Sequence, residues 1–240
     1  MRAALIERPI SSQRWSHHFA WGALAAALAI CLSWSGELGF SSSLTPGLIE
    51  QLSAKFGPDA RARLAAWQKF ILSRRLPEEL RASLSGKTER DTLETVNAYF
   101  NRIPFIHDAK HWGVVDYWAS PAEMLASNGG DCEDFSIAKY FALKEIGVPI
   151  SRLRITYVKA TRINQAHMVL AYYPGADAEP LILDNLEDQI RPASQRPDLI
   201  PVYHFNDDEV RLSKSGERGS PTQIRIWRGL LDKLEREQRT

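Results

Sequence analysis

Between Ser120 and Pro149 the sequence sets helix start and stop signals end to end, and this run limits the possible folds more than any other feature. Ser120-Pro121-Ala122-Glu123 combines an N-cap serine, an N1 proline and an N3 glutamate, so a helix starts there. Asn128-Gly129-Gly130 stops it. A second helix follows at once, with Asp131 at N-cap, Asp134 at N3 and an apolar stripe at Phe135, Ala138, Ala142 and Ile146 that ends at Gly147-Val148-Pro149. Beyond Pro149 the period drops to two. Leu153 to Val158, His167 to Tyr173 and Leu181 to Asp184 are strand candidates separated by Pro/Gly turns. Upstream, Thr45-Pro46 opens a short helix that Gly57-Pro58 closes, and helical stripes recur at Ala60, Leu64, Trp67, Ile71 and at Leu93, Val96, Phe100, Ile103. Helices first and strands after imply an α+β fold.

The chain of 240 residues is 44% hydrophobic and 25% charged, enough to bury a real core, which excludes a disordered chain, a collagen-like fibre and a disulfide-stapled miniprotein. Its 30 basic and 29 acidic side chains nearly cancel, which argues against a general nucleic-acid binder. Only two cysteines occur, Cys31 and Cys132, too few for a four-thiolate zinc site. Cys31 lies in the uncharged run Phe19 to Leu32, which follows Arg14, His17 and His18 and precedes Ser33-Trp34-Ser35. Residues 1–35 therefore read as a signal peptide cleaved after Ser35, with an uncleaved anchor as the alternative. Lipidation at Cys31 is disfavoured by bulky Ile30. Cleavage leaves Cys132 as a single thiol in an oxidising compartment, where it cannot form an internal disulfide. The expected layout is a flexible lead at 36–44, a domain at 45–210, and a linker with an amphipathic helix at 211–240. Pro192 to Pro201 is expected to wrap across the sheet, Ser213 to Ser220 to be a linker, and Trp227, Leu230, Leu231 and Leu234 to pack the last helix on its own domain.

Several chemistries fail on inspection. Ser85-Gly86-Lys87-Thr88 resembles the end of a phosphate-binding loop, but Arg81 replaces the first glycine. No serine elbow or dinucleotide turn occurs. His107 and His111 could share a metal at i, i+4, yet no third ligand is signalled, so a surface or supporting role is expected. Cys132, by contrast, sits in the first turn of a helix, where unpaired N–H groups favour a thiolate. A thiol nucleophile needs an imidazole and a third group to orient it; His167 lies at the start of one strand and Asp184 at the end of the next. Singly, an inert thiol, a core histidine and a turn-forming aspartate would each explain these residues. Together, in this order, they point to a catalytic triad.

Trp112-Gly113-Val114-Val115-Asp116-Tyr117-Trp118, Gly130-Asp131-Cys132-Glu133-Asp134, Tyr157-Val158-Lys159, Ala166-His167-Met168-Val169-Leu170 and Leu183-Asp184-Asn185-Leu186 resemble the bacterial transglutaminase-like cysteine peptidases, the LapG family. The likeness runs from about Phe100 to Phe205. It implies a papain/transglutaminase-like core, with Cys132 as nucleophile, His167 as base and Asp184 as orienting acid. It further implies a periplasmic enzyme that cuts a large surface adhesin near its N-terminus at a di-alanine site, and a sequestering inner-membrane cyclic-di-GMP receptor. A transglutaminase reaction uses the same triad, and a calcium-dependent binding module would need the acids alone; both remain open.

Asp131, Glu133 and Asp134 raise a difficulty, because a carboxylate about 8 Å from sulfur at an effective dielectric of about 20 costs a thiolate roughly 2 kcal/mol. Either these acids only cap the helix, or they hold a hard cation that cancels their charge. The resemblance implies calcium at Asp131, Glu133 and Asp134.

Overall fold

The computed structural model describes residues 44–75 and 86–240, all within the compact unit Gly39–Thr240. The expected signal peptide, nearly all of the lead and most of the failed phosphate-loop segment lie outside the described residues.

Seven α-helices occur among these residues: α1 Pro46–Phe56, α2 Pro58–Arg74, α3 Gly86–Phe100, α4 Asp108–His111, α5 Pro121–Ser127, α6 Cys132–Ile146 and α7 Arg225–Gln238. Seven strands, β1 Leu153–Ala160, β2 Gln165–Tyr172, β3 Leu181–Leu183, β4 Arg191–Pro192, β5 Leu199–Phe205, β6 Val210–Leu212 and β7 Arg218–Gly219, form one antiparallel sheet ordered β4-β3-β2-β1-β5-β6-β7. The α+β class read from the sequence is the one observed. Its punctuation acts as expected: Thr45 caps α1 through Leu48 N–H, and Ser120 and Glu123 close a reciprocal capping box on α5.

Period-two alternation splits the sheet's two faces. Leu153 and Ile155 on β1 and Met168, Leu170 and Tyr172 on β2 join the helices in the main core, whereas Val158, Val169, Ala171 and Ile182 form a small apolar patch on the outer face. The α6 helix packs on β1 and β2 and against α2, α3 and α5. It is buried on every side, including Asp134, Lys139 and Glu145, rather than along a single stripe. Such a helix is the centre of a core, not its cover.

The C-terminal third meets expectation in part. Pro192 to Pro201 does cross the outer face, where Ala193 and Leu199 pack on the apolar patch, but its ends are β4 and the start of β5. Ser213 to Ser220, expected as a flexible linker, contains β7 paired with β6. Trp227, Leu230 and Leu234 of α7 are buried in the main core, Trp227 against Tyr140, Phe141 and Phe205 at centroid distances of 5.9, 5.7 and 5.1 Å. Polar residues around β6 and β7 hid pairing that only neighbouring strands supply. Among the described residues no helix is long and apolar enough to cross a membrane.

Candidate active site

The turn between α5 and α6 aims the thiol. Asn128 takes the left-handed conformation (φ 55°) that ends α5, so neither Gly129 nor Gly130 needs positive φ. Both are glycine because of close approach. A Cβ on Gly130 would lie 2.8 Å from Asp134 Cβ, and one on Gly129 would lie 2.7 Å from Ile106 Cδ1. Gly130 is bridged to Phe105, its carbonyl accepting from Ile106 N–H at 2.9 Å, and Asp134 Oδ2 accepts from Asp131 N–H at 3.3 Å. Cys132 then opens α6, which packs on β2, the strand that carries His167.

His167, 3% exposed, places Nε2 2.8 Å from Asp184 Oδ1. The other carboxylate oxygen of Asp184 accepts from Arg196 at 2.8 Å, and Arg196 is held in turn by Asp198 at 3.1 and 3.0 Å. Burial alone would raise Asp184, but bonds from His167, Leu186 N–H and Arg196 hold its pKa down to about 2, so it stays ionised. The structure thus brings His167 and Asp184 into direct contact and sets Cys132 beside the strand that carries His167. Arg196, Asp198 and Asn101, which donates to the Asp184 carbonyl at 2.9 Å, carry no signal in the local sequence. Their roles arise from segments that meet only in the folded chain.

The acids form a cluster wider than expected. Carboxylate oxygens of Asp108, Asp131 and Asp134 lie within 4.8 Å of one another, as do those of Asp108, Asp116 and Glu133, while Glu133 and Asp131 also group with the Cys132 sulfur. Asp134 is largely committed, accepting Ala119 N–H at 2.8 Å as well as Asp131 N–H. Asp108 accepts Tyr117 N–H through Oδ2, and Asp131 Oδ2 accepts Asp108 N–H at 3.4 Å. This leaves Asp108 Oδ1 and Asp131 Oδ1 buried without a hydrogen-bond partner. Burial, reinforced by neighbouring carboxylates, lifts Asp108 to about 6 and Glu133 to about 9, and also raises Asp134. The thiol donates to Glu133 Oε2 at 3.1 Å, and burial followed by the charges of Glu133 and Asp131 raises its pKa, with Met168 N–H opposing. Orphaned, buried, all-oxygen donors fit a hard cation.

Asp108 and Asp116 escaped sequence reasoning because nothing local joins them to Asp131. His107 and His111 belong to no metal-type cluster among the described residues: His111 Nε2 lies 2.8 Å from Ser127 Oγ, and its ring packs on Trp112.

Comparison with curated protein sequences gives no match. Residues 75–199 match the family profile of the bacterial transglutaminase-like cysteine proteinases. Among solved structures, EGTA-treated LapG of Legionella pneumophila is 41% identical with a TM-score of 0.64, over 78% of this chain and 95% of that one. The calcium-bound form of the same protein is 41% identical with a TM-score of 0.62, over 78% and 97%. On the strength of this likeness across most of the domain, the chain belongs to the bacterial transglutaminase-like cysteine proteinases.

Proposed function

We propose that this protein is a calcium-dependent periplasmic cysteine endopeptidase that cleaves the N-terminal region of a large surface adhesin at a di-alanine site and so promotes biofilm dispersal. One observation carries the reading: a thiol at the tip of a buried helix meets the strand whose histidine is locked onto an ionised aspartate.

With Nε2–H donating to Asp184, the tautomer of His167 leaves Nδ1 bare to act as base. Cys132 Sγ attacks the peptide carbonyl as its proton passes to Nδ1. The imidazolium, stabilised by Asp184, protonates the leaving amine, and His167 then activates water to hydrolyse the thioester. The N–H of Cys132, in the first helical turn without an intrahelical acceptor, contributes to the oxyanion hole. Asp108, Asp131 and Glu133, with Asp134 beside them, would hold calcium, which supplies positive charge against the carboxylates that keep the thiol protonated. A calcium-bound form of LapG supports this part of the reading. Export by residues 1–35 and sequestration by an inner-membrane cyclic-di-GMP receptor belong to the same proposal, as what the resemblance implies.

The test is incubation with the N-terminal part of a candidate adhesin, in calcium or in excess chelator, with mass analysis of the products. Wild-type protein should yield two fragments that together gain one water, and chelator should suppress them. Cys132→Ala should lower the rate by about 10³-fold or more while leaving substrate binding intact. Retained proteolysis in that variant, or an isopeptide product, would refute the assignment.

A further inference from the structure

On the face of the sheet opposite α6, a second cluster of charges has no part in the proposed peptidase reaction. On β1, Leu153 and Ile155 enter the main core, and Arg154 between them points outward. It lines a cavity of about 660 Å³ together with Arg152, His204, Arg211 and Arg218. The carboxylates in its wall are Glu209, in the turn between β5 and β6, and Asp177.

The charges do not balance. Glu209 faces three guanidinium groups at once: Arg154 at 3.2 Å and Arg211 and Arg218 each at 3.6 Å. A single carboxylate shared at such distances leaves positive charge and donor capacity over. Arg211 Nε is buried without a hydrogen-bond partner. The imidazole of His204, on the strand between them, reports the same excess: burial lowers its pKa, the Arg154 and Arg211 charges lower it further, and Glu209 only partly opposes them. Arg154 cannot swing away, because its guanidinium also donates to the Ser151 and Leu153 carbonyls at 2.9 Å each. Arg152 is paired with Glu89 of α3 and stands at the edge of the cavity. Planar forks with unspent donors around an open recess match the oxygens of a tetrahedral oxyanion.

We propose that this cavity is a binding site for a phosphate group, taken up by Arg154, Arg211 and Arg218 in place of their shared contact with Glu209. The phosphate can be free, as a diphosphate, or borne by a lipid headgroup.

Calorimetric titration of the purified protein with pyrophosphate at low ionic strength tests the free source. Co-sedimentation with phosphatidylglycerol vesicles, against phosphatidylcholine vesicles, tests the lipid source. Saturable binding in either arm is expected, weakened about tenfold or more by Arg211→Gln and strengthened by Glu209→Gln, which removes the competing carboxylate. Arg61→Gln, at an exposed arginine that pairs with Glu50, should leave binding unchanged. Arg218→Gln, at a side chain 69% exposed, is the second variant should Arg211→Gln not fold. Binding in the vesicle arm alone assigns the phosphate to lipid. No binding in either arm, or equal affinity in the wild type and the arginine variants, would overturn the proposal. Peptidase activity should be the same in all of these variants, so the outcome is independent of the proposed reaction.

Discussion

Lys139 is a costly side chain to bury in this core. It lies on α6, two turns beyond Cys132, 1% exposed, with its ammonium nitrogen lacking a hydrogen-bond partner. Burial drops its pKa to about 7, although Asp184 and Asp188 pull the other way. A lysine whose folded pKa lies below its unfolded value binds fewer protons when native, so stability must rise with pH between about 7 and the ordinary lysine value of about 10.4. Lys139→Met, which keeps the length and removes the charge, should therefore raise the urea midpoint most at pH 6 and least near pH 10. A midpoint difference independent of pH would show that the amine is not the cause. The charges that oppose its burial, Asp184 and Asp188, lie far off in sequence, so no local pattern marked Lys139 as anything but one more helical residue.

At the scale of elements, α7 is the informative case. It is apolar on one side only, an arrangement that suits a helix laid on its own domain or one offered to a partner. Contact decides between them: Trp227 is 0% exposed and wedged among Tyr140, Phe141 and Phe205. The far end is tied down as well. Lys233 donates to the Trp118 carbonyl at 3.0 Å and to Glu123 at 2.7 Å, and Ser120 donates to Glu237 at 2.6 Å. Trp227→Ala should destabilise the fold by about 3–5 kcal/mol, measured by denaturant unfolding. A loss below about 1 kcal/mol would mean that α7 is an appendage. The same ties fix residues 117–120, whose N–H groups cap Asp108 and Asp134, so the last helix braces one wall of the acidic cluster.

Taken whole, the molecule places its thiol and acids where helices meet one sheet face, and the cluster of Arg154, Arg211 and Arg218 on the other. The buried carboxylates couple that first arrangement to stability as well as to chemistry. If they hold calcium, saturating the ion at about 100 times its Kd adds roughly 2.7 kcal/mol, and chelator should lower Tm by roughly 5–10 °C. Asp108→Asn should reduce both the shift and the calcium affinity measured by calorimetry; a Tm indifferent to chelator in the wild type would remove calcium from the account. By itself the sequence determined the ends of α1, α5 and α6, the thiol at a helix tip, a strand bearing His167 and another ending just before Asp184, because caps, prolines and period-two alternation act within a few residues. The tertiary structure alone decided that α6 is buried all round, that β5 pairs with β1 across the sheet, and that Asp108, Asp116 and Arg196 join residues up to tens of positions away. Those outcomes depend on long-range contacts, where like charges and orphaned oxygens are forced together by burial that no local pattern encodes.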